Sequence, residues 1–184
     1  MAITKLSKNF DTGDFKIQAS FFKQILWYFT DVFFFKSRII PFSSVLVGIL
    51  RIFGAQIGKE VRIKPGIHIK YPWKLVIGDN SWLADCYIEN LDFVDIGSNC
   101  CISQRALLMT GNHNYKKTTF DLITSPIILE DGVWIGSDAK VCPGVALKSH
   151  SILTMGSLAN RDLEEYGIYQ GNPAQMIKRR TITN

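Results

Sequence analysis

Residues 127–158 read IILEDGVWIGSDAKVCPGVALKSHSILTMGSL, and this stretch decides the fold. An aliphatic residue stands at every sixth position of it: Leu129, Ile135, Val141, Leu147 and Leu153. A small or β-branched residue follows each of them by four positions, at Val133, Ala139, Val145, Ser151 and Ser157. A period of six fits neither one face of a helix nor the two-residue alternation of a simple strand.

This period predicts a mainly β chain that folds as a triangular parallel β-solenoid. Each hexad supplies one short strand and one corner, and three hexads close one coil. The aliphatic and the small side chain point into the prism, while Gly, Asp and Asn accommodate the corners. Stacked coils then bury a continuous apolar column that no single hexad could bury alone.

The same hexads begin earlier in the chain, at Ile57, Ile63 and Ile69. Their frame shifts and resumes at Ile77 and Leu83, then shifts again before Ile96, Ile102 and Leu108. After Leu108 the pattern stops for 21 residues. We therefore expect a solenoid over residues 55–160 with an inserted loop at 109–126, MTGNHNYKKTTFDLITSP. A long loop in a compact repeat protein is usually functional.

Residues 1–54 are expected to form an irregular arm followed by aromatic-rich helices. Pro41 separates two helical segments, of which the second covers about 43–53. The longest uncharged run, residues 39–50, is too short to span a bilayer. Two interpretations of residues 21–53 stay open: the helices cover the open end of the solenoid or a neighbouring subunit, or they lie on a membrane surface. Residues 161–184 are expected to form a short basic C-terminal tail or helix.

The composition excludes several classes of protein. The 184-residue chain has a net charge of +5 without a long Lys/Arg run, so we expect no nucleic-acid partner. Its four cysteines form no CxxC pair, and Cys86, Cys100 and Cys142 fall on hexad positions typical of buried, reduced thiols. The N-terminal stretch lacks the apolar segment of a secretory signal, so we expect a cytoplasmic protein.

The chain has three histidines. His68 and His150 fall at corners of the predicted coils, where we expect them on the surface. His113 differs, because it lies in the inserted loop within the sequence GNHNY, residues 111–115. The intervals of 45 and 37 residues contain no close His pair, which argues against the three-histidine zinc site of γ-class carbonic anhydrases. We expect no metal.

Four blocks carry a resemblance to a known family: RIFGAQIGKEVRIKPGIHIKYPWKLVIGDNSWL, IGSNCCISQRALLMTGNHNY, FDLITSPIILEDGVWIGSDAKVCPGV and GNPAQMIKRR. The chain resembles the left-handed β-helix hexapeptide-repeat acyltransferases. It is similar to O-acetyltransferases of the colanic-acid-biosynthesis type and, more distantly, to galactoside and maltose acetyltransferases. The resemblance implies a left-handed coil, acetyl-CoA as co-substrate, and a homotrimer with active sites between subunits.

The resemblance also assigns roles to residues. His113 matches the general base of the family, a role that needs a group titrating near neutrality. Asn90 matches an Asn that positions the acceptor or stabilises charge. We expect the neighbouring Glu89 and Asp92 either to orient His113 from a neighbouring subunit or to be solvated surface carboxylates. The residues implied to contact acetyl-CoA are Trp134, Ser137, Met155, Gly156, Asn160, Arg161, Lys178 and Arg179.

The function implied is acetyl-CoA-dependent O-acetylation of a sugar hydroxyl, by direct transfer, in exopolysaccharide or surface-glycan biosynthesis. Two alternatives stay open. One is an N-acetyltransferase acting on an amino sugar. The other is a non-catalytic solenoid scaffold that binds a partner through its aromatic helices. The sequence leaves open whether a saccharide acceptor is free or lipid-linked.

Overall fold

The computed structural model describes residues 2–8 and 10–183, and its hexads form short strands that end near each aliphatic residue. In chain order the strands are β1 (Gln56–Ile57), β2 (Arg62–Ile63), β3 (His68–Ile69), β4 (Leu75–Ile77), β5 (Trp82–Leu83), β6 (Tyr87–Glu89), β7 (Val94–Ile96), β8 (Cys101–Ile102), β9 (Leu107–Met109), β10 (Gly111–His113), β11 (Leu122–Thr124), β12 (Ile127–Leu129), β13 (Trp134–Ile135), β14 (Lys140–Val141), β15 (Ala146–Leu147), β16 (Ile152–Leu153), β17 (Leu158–Ala159), β18 (Gly167–Gly171) and β19 (Ala174–Arg179).

These strands stack into the three faces of a prism. Face A consists of β1, β4, β7, β12 and β15; face B of β2, β5, β8, β13, β16, β18 and β19; and face C of β3, β6, β9, β14 and β17. All pairs between successive coils are parallel, from β1–β4 through β16–β18. The result is a parallel β-solenoid of about six turns, which confirms the predicted fold. The corners are named below by the faces they join, A–B, B–C and C–A.

The core is the column that the period of six predicts. In face A, Ile77 pairs with Ile96 and Ile96 with Leu129, so the aliphatic side chains of successive coils lie on one another. All three are at most 2 % exposed. Burial of each such side chain stabilises the fold by about 1.5–3 kcal/mol. One member was missed from the sequence: Ile88 follows Leu83 by five residues, because the B–C corner of that coil is one residue shorter.

Corners bring successive backbones close together. A Cβ at Gly97 would lie 2.5 Å from Oδ1 of Asp131 and 2.9 Å from its backbone nitrogen, so no side chain fits there. Asn80 and Asn99 take the left-handed backbone conformation at the A–B corner, with φ of 57° and 58°. Asn tolerates this region better than most residues, because its short side chain can bond locally.

The N-terminal helices cover the open end of the first coil. Helix α1 spans Phe21–Thr30 and runs into a π-helical segment at Asp31–Lys36, and α2 spans Ser43–Ile52, beyond Pro41. Trp27 is buried there and donates its indole N–H to the carbonyl of Ile69 at 3.1 Å. The inner sides of these helices complete the apolar column. Within the described ranges, the helices are too short or too polar to cross a membrane.

The prediction of a C-terminal tail or helix is wrong. Strand β18 pairs in parallel with β16, and β19 folds back on it as an antiparallel partner. Face B therefore continues beyond residue 160, the expected limit of the solenoid. Tyr169 and Ala174 are buried in this hairpin, so it covers the apolar end of the last coil.

Candidate active site

The inserted loop folds as a β-hairpin that stands on the C–A corner. Strands β10 and β11 pair antiparallel, with His113 opposite Leu122. The two ends of the insertion meet, since the N–H of Ser125 donates to the carbonyl of Thr110 at 3.0 Å. The N-terminal arm runs beside this hairpin. The N–H of Leu122 donates to the backbone carbonyl of Asp11 at 3.0 Å, and the N–H of Lys5 donates to the backbone carbonyl of Thr118 at 2.7 Å.

His113 is held in one orientation by the hairpin itself. Its Nδ1 lies 2.8 Å from the carbonyl oxygen of Phe120, and its ring stacks on the Phe120 ring at 4.6 Å with an interplanar angle of 11°. Phe10 of the arm meets the ring edge-on at 6.1 Å. A carbonyl oxygen can only accept, so Nδ1 carries the proton and Nε2 of the neutral ring presents the lone pair. This is the tautomer that a general base requires.

The backbone that supplies this carbonyl is unusual. Phe120 takes a left-handed conformation with φ of 54°, which is costly for a bulky residue and concentrates at functional sites. The next residue, Asp121, is buried and pairs with Lys117 at 2.7 Å. The Lys117 hydrogen bond, together with one from Thr119, holds the pKa of Asp121 below its ordinary value. The role of Phe120 was missed from the sequence, because no spacing rule links it to His113.

Asn90, expected to position the acceptor or to stabilise charge, faces inward in the structure. Its side chain is fully buried at the C–A corner. The amide donates to the carbonyls of Tyr71 and Lys74 at 2.7 and 3.2 Å and accepts from the N–H of Tyr71 at 3.0 Å. Asn90 therefore satisfies backbone groups of the preceding corner and offers no donor to a bound molecule.

Glu89 and Asp92 do not reach His113 in the protomer. Glu89 lies on the outside of face C, where it contacts His68 at 2.9 Å and Lys70 at 3.2 Å. The hydrogen bond from His68 and then the charge of Lys70 lower the pKa of Glu89 to about 2. Asp92 accepts from the N–H of Phe93 at 2.8 Å.

The other two histidines are more enclosed than expected. His68 is half-buried against Glu89 rather than free on the surface. His150 stacks on Tyr166 at 4.9 Å and 9°, and it lies over Gly132, where a Cβ would come within 2.8 Å of its ring. Both side chains are therefore fixed by structural contacts.

A second candidate region lies at the B–C corner, outside face B. Trp134, Ser137 and Met155 line one cleft of about 210 Å³ together with Ser103, Gly136, Ile152 and Thr154. The indole N–H of Trp134 donates to Ser103 at 3.1 Å, which fixes a ring that remains 45 % exposed. Ser103 also borders a second cleft of about 260 Å³ beside Trp82, so the two clefts are neighbours, and together they are called the groove below.

The remaining predicted contacts are spread around this groove. Gly156 follows Met155 in the same corner, with φ of 70°. Asn160 and Arg161 are exposed at the next corner, C–A, after β17. Lys178 and Arg179 are exposed on β19, where Arg179 lies 3.6 Å from Glu164. The structure thus brings together Trp134, Ser137, Met155 and Gly156 but not the four others.

Two of the cysteines are unsuited to covalent catalysis. Cys86 and Cys100 are buried, and burial raises the pKa of their thiols to about 12 and about 11. Thiols with such pKa values stay protonated and unreactive at neutral pH. Cys142, expected to be buried, is half-buried beside its corner. Across the described part of the chain, no three His, Cys, Asp or Glu side chains are grouped to hold a metal ion.

His113 and the groove lie at different corners of one protomer, C–A and B–C.

No family model matches the sequence. The chain is 36% identical over 136 residues to WcaF of Escherichia coli (strain K12), named as a colanic acid biosynthesis acetyltransferase, which covers 73% of this chain and 75% of WcaF. It is 27% identical over 132 residues to the galactoside O-acetyltransferase of the same organism, with coverage of 67% and 63%.

A solved structure has the same fold. The hexapeptide-repeat acetyltransferase of Vibrio cholerae, determined in complex with acetyl-CoA, superposes with a TM-score of 0.75 at 20% identity and covers 85% of both chains. The identity to WcaF over three quarters of each sequence carries the assignment, and the solenoid agrees with it. The chain therefore belongs to the hexapeptide-repeat acetyltransferases, in the family that includes WcaF.

Proposed function

We propose that this protein transfers an acetyl group from acetyl-CoA to a sugar hydroxyl during surface-glycan biosynthesis in the cytoplasm. One observation carries the proposal: Nδ1 of His113 donates to the Phe120 carbonyl, which leaves Nε2 as the acceptor nitrogen. The similarity to proteins named for colanic acid biosynthesis and for galactoside O-acetylation supports a saccharide acceptor.

The reaction needs no covalent enzyme intermediate. Nε2 of His113 takes the proton of the sugar hydroxyl while its oxygen attacks the thioester carbonyl carbon. The new C–O bond forms, the C–S bond breaks, and the imidazolium returns its proton to the departing CoA thiolate. Direct transfer agrees with the two buried, protonated thiols. The oxyanion must be stabilised by a donor other than Asn90, because that amide is already satisfied.

We assign the donor to the groove at the B–C corner. The exposed Trp134 ring offers an apolar wall for the pantetheine arm, and Ser137 and the Met155–Gly156 turn offer polar backbone and hydroxyl groups. Arg161, Lys178 and Arg179 are basic and exposed, as contacts to the phosphates of CoA require. Asn160 and Arg161 belong to the C–A corner, so they would reach the donor from a neighbouring subunit.

Because His113 and the groove are at different corners, we propose a homotrimer in which the hairpin of one subunit reaches the groove of the next. Face C lies between those two corners. Its outer positions include apolar side chains, with Tyr87 51 % exposed and Leu107, Met109 and Leu158 partly exposed, beside the charged Glu89 and Lys140. Packing this face around a threefold axis would bury these side chains and bring the two halves of each site together.

The first test is acetyl-CoA turnover with a panel of sugar acceptors, for the wild type and for His113→Ala. We expect the variant to lose at least about a hundredfold in kcat while still binding CoA, because it lacks the base but keeps the groove. His150→Gln, at the A–B corner away from both face C and the groove, is the matched control and should keep its turnover. Unchanged release by His113→Ala would overturn the assignment of the base. Faster acetylation of amino sugars would indicate N-acetylation, and absence of CoA binding would indicate a scaffold.

A mixing experiment tests the shared site. Ser137→Trp fills the groove, and His113→Ala removes the base, so each variant alone should be inactive. Reassembled together, they should recover activity at about a quarter of the sites, where an intact groove meets an intact His113 from its neighbour. Recovery of nothing, in trimers shown to be mixed, would place each site within one subunit.

A further inference from the structure

We propose that the helical end cap, residues 21–52, binds the surface of a membrane that contains anionic lipids. This inference concerns a surface that the acetyl-transfer reaction does not use. The inner side of the cap covers the first coil, and the proposal concerns its outer side. It rests on the helix faces, on the charge around them and on the direction in which they point.

Helix α1 carries its apolar residues on the side that faces away from the protein. Its large exposed side chains share one face: Phe21, Phe22, Ile25, Leu26, Tyr28 and Phe29, between 40 % and 76 % exposed. The inner face holds Trp27, with Lys23, Gln24 and Thr30 half-buried beside it. A helix on the surface of a soluble domain has the opposite arrangement, with charged and polar residues outward.

The exposed face extends beyond α1. Phe33 and Phe34 of the π-helical segment continue it, at 61 % and 40 % exposed. Ile39, Phe42 and Ile52 add side chains that are 72 %, 66 % and 82 % exposed. So many large exposed apolar side chains within one segment mark an interaction site rather than ordinary surface.

The charge around this surface favours lipid headgroups. Residues 21–53 contain four basic residues and one acidic residue, Asp31, which is buried and paired with Lys36 at 2.8 Å. Residues 54–184 are nearly balanced, with fourteen basic and thirteen acidic residues. The positive excess of the sequence is thus concentrated in residues 21–53, where Arg38 pairs with Asp85 at 3.2 Å and Lys23 is half-buried on the inner side of α1. Apolar and aromatic residues bordered by Lys and Arg are typical of helices that lie in a membrane interface.

The dimensions fit a helix that lies on the bilayer rather than one that crosses it. Residues 21–36 would extend about 24 Å as a helix, which is shorter than a hydrocarbon core of about 30 Å. The cap covers one end of the solenoid and packs on the first coil. In a trimer with parallel coil axes, the three caps would lie in one plane and could contact a flat surface together.

The cap is also connected to the active site. From Ser20, which caps α1, the N-terminal arm passes Trp73, whose indole donates to the carbonyl of Ile17 at 2.6 Å. The same arm brings Phe10 against His113. Membrane attachment at the cap would hold the hairpin near lipid headgroups, where a lipid-linked acceptor would be presented.

The test is co-sedimentation of the full-length protein with unilamellar vesicles of phosphatidylcholine, with and without phosphatidylglycerol. We expect binding that rises with phosphatidylglycerol and falls at high salt. The double substitution Phe22→Ser, Phe29→Ser should lower the partition coefficient about a hundredfold, since two buried phenyl groups are lost. Turnover on a soluble acceptor should stay unchanged, which separates this result from a failure of the proposed reaction.

The matched control is Phe93→Ser combined with Ile182→Ser, two apolar residues of the solenoid and C-terminus that are 42 % and 54 % exposed. This variant should bind vesicles as the wild type does. The proposal would be overturned if the wild-type protein bound neither kind of vesicle. If the wild-type protein instead formed a larger assembly, and the Phe22→Ser, Phe29→Ser variant did not, the partner of the cap would be a second copy of the chain. Equal loss of binding in the control would overturn it as well.

Discussion

The coils and the hairpin at residues 111–124 differ in what holds them. In the coils each inward position is aliphatic or small, and Ile96, Ile135 and Leu147 are wholly buried. In the hairpin, the residues before Asp121 are all at least partly exposed, and its order comes from backbone pairing, the Lys117–Asp121 pair and the stacked rings of His113 and Phe120. Every coil thus contributes the same kind of apolar core contact to stability. The candidate base, His113, lies on a single hairpin outside that core.

Removing the appendage gives the largest expected effect. Because Thr110 and Ser125 already touch, residues 111–124 can be replaced by Asn-Gly without moving either coil. We expect acetyl transfer to fall to background while the free energy of unfolding changes by less than about 1 kcal/mol. Turnover and urea unfolding followed by tryptophan fluorescence check the two halves of this prediction. A variant that is inactive because it is unfolded would contradict the separation of the two regions.

The sequence was most informative where packing is repetitive. The period of six identified the core residues Leu129, Ile135 and Leu147, because a side chain inside a closed coil has no alternative position. It failed at Ile88, where one corner is shorter by a residue. A deletion at a corner shifts the frame but leaves the direction of the next strand intact.

The sequence was least informative at the C–A corners and in the site. Asn90 matched a family position, yet its amide turns inward to bind backbone groups of Tyr71 and Lys74. The orientation of a corner side chain depends on the lengths of the neighbouring corners, which no motif encodes. His113 was found by resemblance, whereas its partners Phe120 and Phe10 come from the hairpin pairing and from an arm a hundred residues earlier.

A pair of identical substitutions measures the contrast between the two regions. Ile135→Ala creates a cavity in the middle of the column, and we expect a loss of about 2–5 kcal/mol in the free energy of unfolding. Ile123→Ala, in β11, removes a side chain that is 45 % exposed and should change stability by no more than about 0.5 kcal/mol. Chemical denaturation of both variants decides the matter. Similar losses would mean that the hairpin belongs to the same cooperative core.

The smallest effect concerns the outside of the coils, where Glu89 binds His68 and Lys70. The pKa of Glu89 is lowered from 4.5 to about 2, chiefly by the His68 hydrogen bond and further by Lys70. A carboxyl group with a lowered pKa stabilises the fold at every pH above its unfolded value, and this contribution is lost as the pH falls from about 4.5 towards about 2.

Glu89→Gln should therefore cost stability near neutral pH and cost progressively less in acid. The full shift would correspond to about 3 kcal/mol. Because the Glu89 side chain is 27 % exposed and water screens the pair, we expect about 1 kcal/mol. Unfolding free energies of the wild type and the variant at pH about 6 and about 3 test this, with Asp138→Asn as control for the more exposed Arg105–Asp138 pair. If the loss of unfolding free energy caused by Glu89→Gln were larger at the acidic pH than near neutrality, the pairing of Glu89 would not stabilise the coils.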